Sequence, residues 1–344
     1  MYDVGANTSH APRQKNRFAQ AMLQVAVAGT FPVSLAQPVR RYLTTPCEIV
    51  VADETGILPR LSAIDVLVTM TLTAEMGRAA TRLRLVQVPG AGLDRIDRSA
   101  LPRGAKLANA YGHETGIAEY VIGAILALTR EFGRLDKALR LGDWQSQWAV
   151  GAAPPPVWPE LTGKTIGILG YGRIGRSVAH RARAFDMAVC AIRRDVGQSA
   201  GEDLALLGGP DLLDEVLRRS DFVVITVPAT PETIGRIGQR ELALMKPSAF
   251  LINVARAEIV DEEALYDALS RRAIAGAALD VWYRYPREPG HARAATRPFQ
   301  KLSNVLMTPH IAGWTEGTLE ARAKLIAENI RRVACREAPL NLVC

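Results

Sequence analysis

Gly170, Gly172 and Gly175 stand in the order GxGxxG at the end of the apolar run Lys164-Thr-Ile-Gly-Ile-Leu. Arg193 and Arg194 follow 18 residues after the last glycine. This spacing suits a dinucleotide. Gly170 permits a tight turn, Gly172 lets a pyrophosphate approach the backbone, and Gly175 lets a helix lie close to its strand. A helix opening at this point turns unpaired N–H groups and the positive end of its dipole toward phosphate. An NAD site carries Asp or Glu about 20 residues further on, to accept from the ribose 2′-hydroxyl. Here that place holds Arg193, with Arg194 beside it. A guanidinium cannot accept the hydroxyl proton, but it pairs with a 2′-phosphate. NADP(H) is therefore expected ahead of NAD(H). The alternative leaves both arginines as solvated loop residues, with NAD(H) bound without a ribose clamp.

The elements that must hold this motif are legible around it. Ile174, Val178, Ala182 and Phe185 recur at helical spacing, and Ala188–Ile192 reads as a second strand. Strand, glycine turn, helix and strand make the start of a βαβ unit. Further strands are expected at Phe222–Val227, Ala249–Val254, Gly276–Val281 and Asn304–Met307. Upstream, Val25–Ala28, Glu48–Ala52, Ile64–Met70 and Leu85–Val88 alternate with helix-like stretches, as in a smaller α/β domain with a parallel sheet. The segment Ile117–Leu141 favours a long helix, apolar on more than one face and so buried between layers or subunits. Leu319, Ala323, Ile326, Ile330 and Val333 mark an amphipathic helix over Thr315–Arg336 that closes back on the first domain. The expected architecture is α/β: a Rossmann-type doubly wound parallel sheet domain at residues 114–313, inserted in a second, flavodoxin-like α/β domain. That second domain, taken as the substrate domain, comprises residues 1–113 and 314–344.

Composition narrows the class. A chain of 344 residues exceeds one ordinary core. No apolar run reaches the roughly 20 residues of a membrane span, and the N-terminus lacks the layout of a signal peptide, resembling a loose basic tail. Cys47, Cys190, Cys335 and Cys344 are far apart, which points to a reduced, cytoplasmic protein without a metal site. The formal charge of +7 is scattered rather than clustered. It is accounted for by an anionic cofactor and an acidic substrate, with no nucleic acid and no membrane as partner.

Several ordered segments extend the reading: Gly90-Ala-Gly-Leu-Asp, the glycine motif, Val227-Pro228 with Thr233, Asn253-Val-Ala-Arg256, Leu279-Asp280-Val281 and Thr308-Pro-His310-Ile-Ala-Gly313. Over roughly residues 60–335 the chain resembles the D-isomer-specific 2-hydroxyacid dehydrogenase family. The resemblance implies hydride transfer between a nicotinamide cofactor and a small 2-keto or 2-hydroxy acid, in a protein that forms homodimers. It places His310 as the acid–base group, a role suited to an imidazole that titrates near neutral pH. It makes Arg256 the group that holds the substrate carboxylate and polarises its carbonyl, and gives Gly90, Ala91 and Gly92 as the amides that grip that carboxylate. Arg173 and Ile174 fall at the pyrophosphate, and Val227, Pro228 and Thr233 lie along the cofactor. Val254 and Gly313 are further cofactor-binding positions, and Ala255 and Asp280 lie against the nicotinamide carboxamide.

The chain departs from the family at one catalytic position. The family's Glu partner to the histidine is replaced, in Asp280-Val-Trp-Tyr-Arg-Tyr285-Pro, by Tyr285. A phenol is neutral at pH 7: it can hydrogen-bond an imidazole but cannot balance its positive charge. Glu114 and Glu288 are the candidate substitutes, and His113 a candidate substrate contact. The neutral partner leaves a formate- or phosphite-type dehydrogenase as an alternative. A cofactor-sensing, corepressor-like binding protein with little turnover is another.

Overall fold

The computed structural model describes residues 22–151, 155–196, 204–286, 288 and 290–343. The expected N-terminal tail, with His10, lies outside the described residues, as does Cys344. The chain forms two compact units. One gathers the described residues up to Pro89, Arg95–Ala108 and the chain from Ile326; the other comprises Gly90–Asp94 and Asn109–Leu325.

The first unit is built on five parallel strands, β1 (Leu23–Ala28), β2 (Cys47–Ala52), β3 (Val66–Thr69), β4 (Leu85–Gln87) and β5 (Lys106–Ala108), in the order β2-β1-β3-β4-β5. That is the flavodoxin-like order 2-1-3-4-5. The central strands β1, β3 and β4 are almost wholly buried, which a parallel sheet covered on both faces requires, whereas edge strand β2 is half-exposed. Helices α1 (Thr30–Ser34) and α2 (Ala36–Tyr42) connect β1 to β2, and α3 (Ala74–Ala79) connects β3 to β4.

The second unit opens with α4 (Glu114–Thr129) and α5 (Phe132–Arg140). Then follow β6 (Thr165–Leu169), α6 (Arg173–Arg183), β7 (Ala188–Ile192), β8 (Leu206–Gly208), α7 (Leu213–Arg219), β9 (Phe222–Ile225) and α8 (Gln239–Leu244). The unit continues through β10 (Phe250–Asn253), α9 (Glu262–Ser270), β11 (Gly276–Leu279) and β12 (Val305–Met307), ending in α10 (Glu316–Ala334), which runs on into the first unit. All seven strands are parallel, in the order β12-β11-β10-β9-β6-β7-β8. Counted from β6, this is the doubly wound order 3-2-1-4-5-6 with a seventh strand on the outer edge. Strand residues alternate between two cores. Ile166, Ile168, Phe222 and Val224 face α4 and α6, while Leu169, Val223, Ile225 and Leu251 face α7, α8 and α9. The switch of strand order between β6 and β9 places the carboxyl ends of both beside the glycine motif.

Three expectations change. The stretch Ile117–Leu141 is two helices, because Glu131 adopts a left-handed backbone (φ 52°) between them. Only α4 is buried; α5 is amphipathic and exposes Phe132 and Leu139. Phe185 lies past the end of α6 and is partly exposed, so it does not continue that helix's core stripe. Strands β5 and β8, three residues each, add to the strands expected from the sequence. Among the described residues, no helix is long and apolar enough to cross a membrane.

Candidate functional site

The glycine motif is the hinge between β6 and α6, and each glycine meets a different constraint. Gly170 has φ 109°, and a Cβ there would press against Val227 at 2.8 Å. A Cβ on Gly175 would lie 2.5 Å from the Gly170 carbonyl oxygen, so any larger residue would push the helix off its turn. Gly172 caps α6 and has open space before it, leaving room for a ligand to reach the helix N-terminus. The first turn of α6 carries Arg173 and Arg176 and no acidic residue. Two cations at the positive end of a helix dipole are unfavourable alone and favourable around a bound anion. Gly172, Arg173 and Ile174, with Ala91, Tyr111, His113, Glu114 and Thr226, line a cavity of about 240 Å³. These groups fit a dinucleotide's diphosphate. Arg193 follows β7, its N–H bonded to the Gly208 carbonyl, and Arg194 beside it is exposed. Thr226 bonds the Gly170 carbonyl and Thr233 the Pro228 carbonyl, which closes the loops over the ends of β6 and β9.

Arg256 follows β10 and is oriented on three sides. Its Nε and Nη2 donate to Asp94 Oδ2 at 3.0 and 2.7 Å, and its Nη1 donates to the Ala255 carbonyl at 2.7 Å. Asn253 shapes this turn: its side chain accepts from the Ala255 N–H and donates to the Arg256 carbonyl. The guanidinium lies so close to Gly92 that a Cβ there would collide with Nη2. The loop Gly90-Ala91-Gly92 and the guanidinium thus face one another, as a site for a carboxylate requires.

His310 sits on a loop tied down by Asp280. That carboxylate, 1% exposed, accepts from Thr308 Oγ1 and Ile311 N through one oxygen and from Ala312 N through the other. Tyr120 donates in turn to Thr308 Oγ1 at 2.6 Å, and the Trp282 indole to the Thr308 carbonyl at 2.8 Å. With the loop so anchored, His310 holds a left-handed backbone, φ 60°, that a non-glycine residue adopts only when its surroundings impose it. Its Nδ1 lies 2.8 Å from Tyr285 Oη, and the same phenol oxygen accepts from the Trp282 backbone N–H. The imidazole is open on one side, yet the atoms packed around it push its pKa below the usual value. Asp280 opposes that shift, and Arg256 and Arg322 add to it. Desolvation raises the Tyr285 phenol above its ordinary value, so it stays neutral beside the ring.

The structure therefore gathers Arg256, Gly90, Ala91 and Gly92 in one group, and His310 with Tyr285 in another. It puts the phenol, rather than Glu114 or Glu288, at His310 Nδ1. Glu114 instead accepts from the Gly112 N–H at the start of α4. His113 is buried, and burial lowers its pKa to about 4, with Arg322 adding to the effect. Asp280 carries three hydrogen bonds from the His310 loop, two on Oδ1 and one on Oδ2. Val254 and Ala255 are buried behind Arg256, Val227 and Gly313 are partly exposed, and Pro228 is exposed. Two residues escaped the sequence reading. Asp94 ended a quoted motif without a role, and Tyr111 had none; each meets its arginine only through the fold.

The chain is similar to known proteins over most of its length. Residues 122–312 match the family described as D-isomer specific 2-hydroxyacid dehydrogenase, NAD binding domain. The chain is 38% identical over 295 residues to glyoxylate reductase of Pyrococcus furiosus, covering 83% of this chain and 84% of that protein. It is 34% identical to D-3-phosphoglycerate dehydrogenase of Methanocaldococcus jannaschii, covering 83% of this chain and 53% of that one. Among solved structures, an NADPH-dependent glyoxylate/hydroxypyruvate reductase from Sinorhizobium meliloti, in complex with NADP and malonate, superposes with a TM-score of 0.76 at 26% identity. That match covers 94% of this chain and 97% of the other. The chain belongs to the D-isomer specific 2-hydroxyacid dehydrogenase family, oxidoreductases acting on a CH–OH donor.

Proposed function

We propose that this protein reduces small 2-keto acids of the glyoxylate and hydroxypyruvate kind to D-2-hydroxy acids, with NADPH preferred. The observation that carries the proposal is Arg256, held by Asp94 against the Gly90–Gly92 loop, in the same unit as an imidazole held by a phenol. The nicotinamide, when bound, supplies the hydride. The chain's own residues do the rest. Arg256 and the loop amides bind the substrate carboxylate, and the guanidinium stabilises negative charge on the carbonyl oxygen. His310 gives that oxygen a proton from Nε2, while Tyr285 holds the ring by Nδ1. Asp280 acts by fixing the loop that aims His310. Arg193 and Arg194 bind the 2′-phosphate, and Arg173 the diphosphate.

The neutral Tyr285 favours one further reading, oxidation of formate or phosphite. Formate gives up its hydride to leave carbon dioxide with no proton transferred, so a neutral partner suffices, while phosphite also takes an oxygen from water, whose proton would pass to His310. The test is cofactor oxidation or reduction across glyoxylate, hydroxypyruvate, longer 2-keto acids, formate and phosphite, with both cofactors. Oxidation of NADPH by keto acids, with preference moving toward NADH in Arg193→Asp, is the expected outcome. A wild-type preference for NADH would overturn the cofactor assignment. Tight cofactor binding without turnover would favour a sensing protein.

We further propose that two copies pair through the second unit. What supports this is the exposure of Phe132, Leu139, Leu141, Trp144, Trp148 and Val157 along α5 and the chain after it, side chains that a contact between copies would cover.

A further inference from the structure

Tyr111 stands between two loops that need to be held. Its ring lies beneath Arg173, whose guanidinium carbon is 4.2 Å from the ring centroid. Asn109 joins the same residue to the other loop, donating through Nδ2 to the Ala91 carbonyl at 3.1 Å and to Tyr111 Oη at 3.4 Å. Tyr111, Ala91, Gly172 and Arg173 all line the one cavity. Arg173 is the first residue of α6, where the helix dipole repels a cation and the side chain gains nothing from the helix itself. A ring face offers what the helix does not: it attracts the guanidinium and restricts its rotamers before any anion arrives.

We infer that Tyr111 is a positioning residue for the dinucleotide diphosphate, holding Arg173 over its ring in the cavity and linking it through Asn109 to the loop at Ala91. The inference rests on the dinucleotide reading above. It requires the aromatic face at position 111, with the hydroxyl secondary. A ring that pre-orders one arginine strengthens diphosphate binding by roughly three- to tenfold.

The test compares dissociation constants of NADPH, which carries a diphosphate, and 2′-AMP, which does not, by fluorescence titration of the full chain. Tyr111→Leu is expected to weaken NADPH three- to tenfold and leave 2′-AMP unchanged. Tyr111→Phe should stay within about twofold of wild type, since the ring face remains. Arg173→Gln should weaken NADPH as well, and adding Tyr111→Leu to it should cost nothing more, because the two act through one interaction. If Tyr111→Leu does not fold, Tyr111→Gln carries the same comparison. Unchanged NADPH binding in the non-aromatic variants would overturn the inference, as would equal losses for NADPH and 2′-AMP. A wild-type protein that binds neither NADPH nor NADH would overturn the dinucleotide reading itself, and this inference with it.

Discussion

Replacing Tyr285 with glutamate restores a negative charge where the structure has a neutral phenol, and its effect can be worked out. The oxygen at this position lies 2.8 Å from His310 Nδ1. An ion pair of about 4 Å is worth about 1 kcal/mol in bulk water and about 4 kcal/mol near a protein surface. Tyr285 is 50% exposed, so solvent screening draws the value toward the lower end, to about 1–2 kcal/mol. One pH unit corresponds to about 1.4 kcal/mol, so the imidazole pKa should rise by about one unit. The sign follows from the chemistry. Keto-acid reduction needs His310 protonated, so its rate falls as pH rises through the His310 pKa. In the wild-type protein surrounding atoms and two arginines hold that pKa below 6.5, so the decline begins on the acid side of neutrality.

Tyr285→Glu should move the whole decline upward by about one unit. Where both forms are mostly deprotonated, near pH 8, the variant's reduction rate should be about tenfold higher relative to its own acid plateau. Alcohol oxidation needs the neutral ring and should shift in the same sense, becoming slower near pH 6.5. The assay is kcat/KM for glyoxylate from pH 5 to 9 at saturating NADPH, with Tyr285→Phe as control. The phenylalanine loses a hydrogen bond worth about 1 kcal/mol, or about fivefold in rate, without introducing a charge. Profiles that coincide for wild type and Tyr285→Glu would refute the contact between Tyr285 and His310 as a determinant of acid–base behaviour.

Two other outcomes follow from the geometry. Gly92→Ala puts a Cβ into the Arg256 guanidinium and 2.9 Å from Asp94 Oδ2; KM for the keto acid should rise at least tenfold while NADPH affinity and melting temperature stay near wild type. Replacing both Trp144 and Trp148 by glutamate should shift the species seen by light scattering from dimer to monomer, and an unchanged mass would remove this surface from the proposed interface.

Much of the architecture could be read without coordinates because it depends on local regularities. The β7 limits, Ala188–Ile192, coincide with the apolar run that announced them, and the glycines of the 170–175 turn answer to constraints within a few residues of one another. The alternation of strand and helix implied parallel sheets, since parallel neighbours need a crossover and bury both faces. Strands β5 and β8 were not read, although β4 and β12 are just as short: those two lie in the expected runs Leu85–Val88 and Asn304–Met307. The break at Glu131 was hidden because a left-handed residue other than glycine leaves no mark in composition.

The site divides along the same line. Residue types announced the chemistry: an imidazole near neutral pH, a guanidinium for a carboxylate, an arginine where an acidic ribose clamp usually stands. Their partnerships belong to the fold. Asp94 reaches Arg256 across 162 positions, and Tyr285 reaches His310 across 25. The cation held over Tyr111 depends on how α6 leaves its turn. Local propensity and spacing act over a few residues, so they can specify a strand, a turn or a helix start. Which charge faces which ring, and so which pKa moves, is decided by the register in which distant strands bring their ends together.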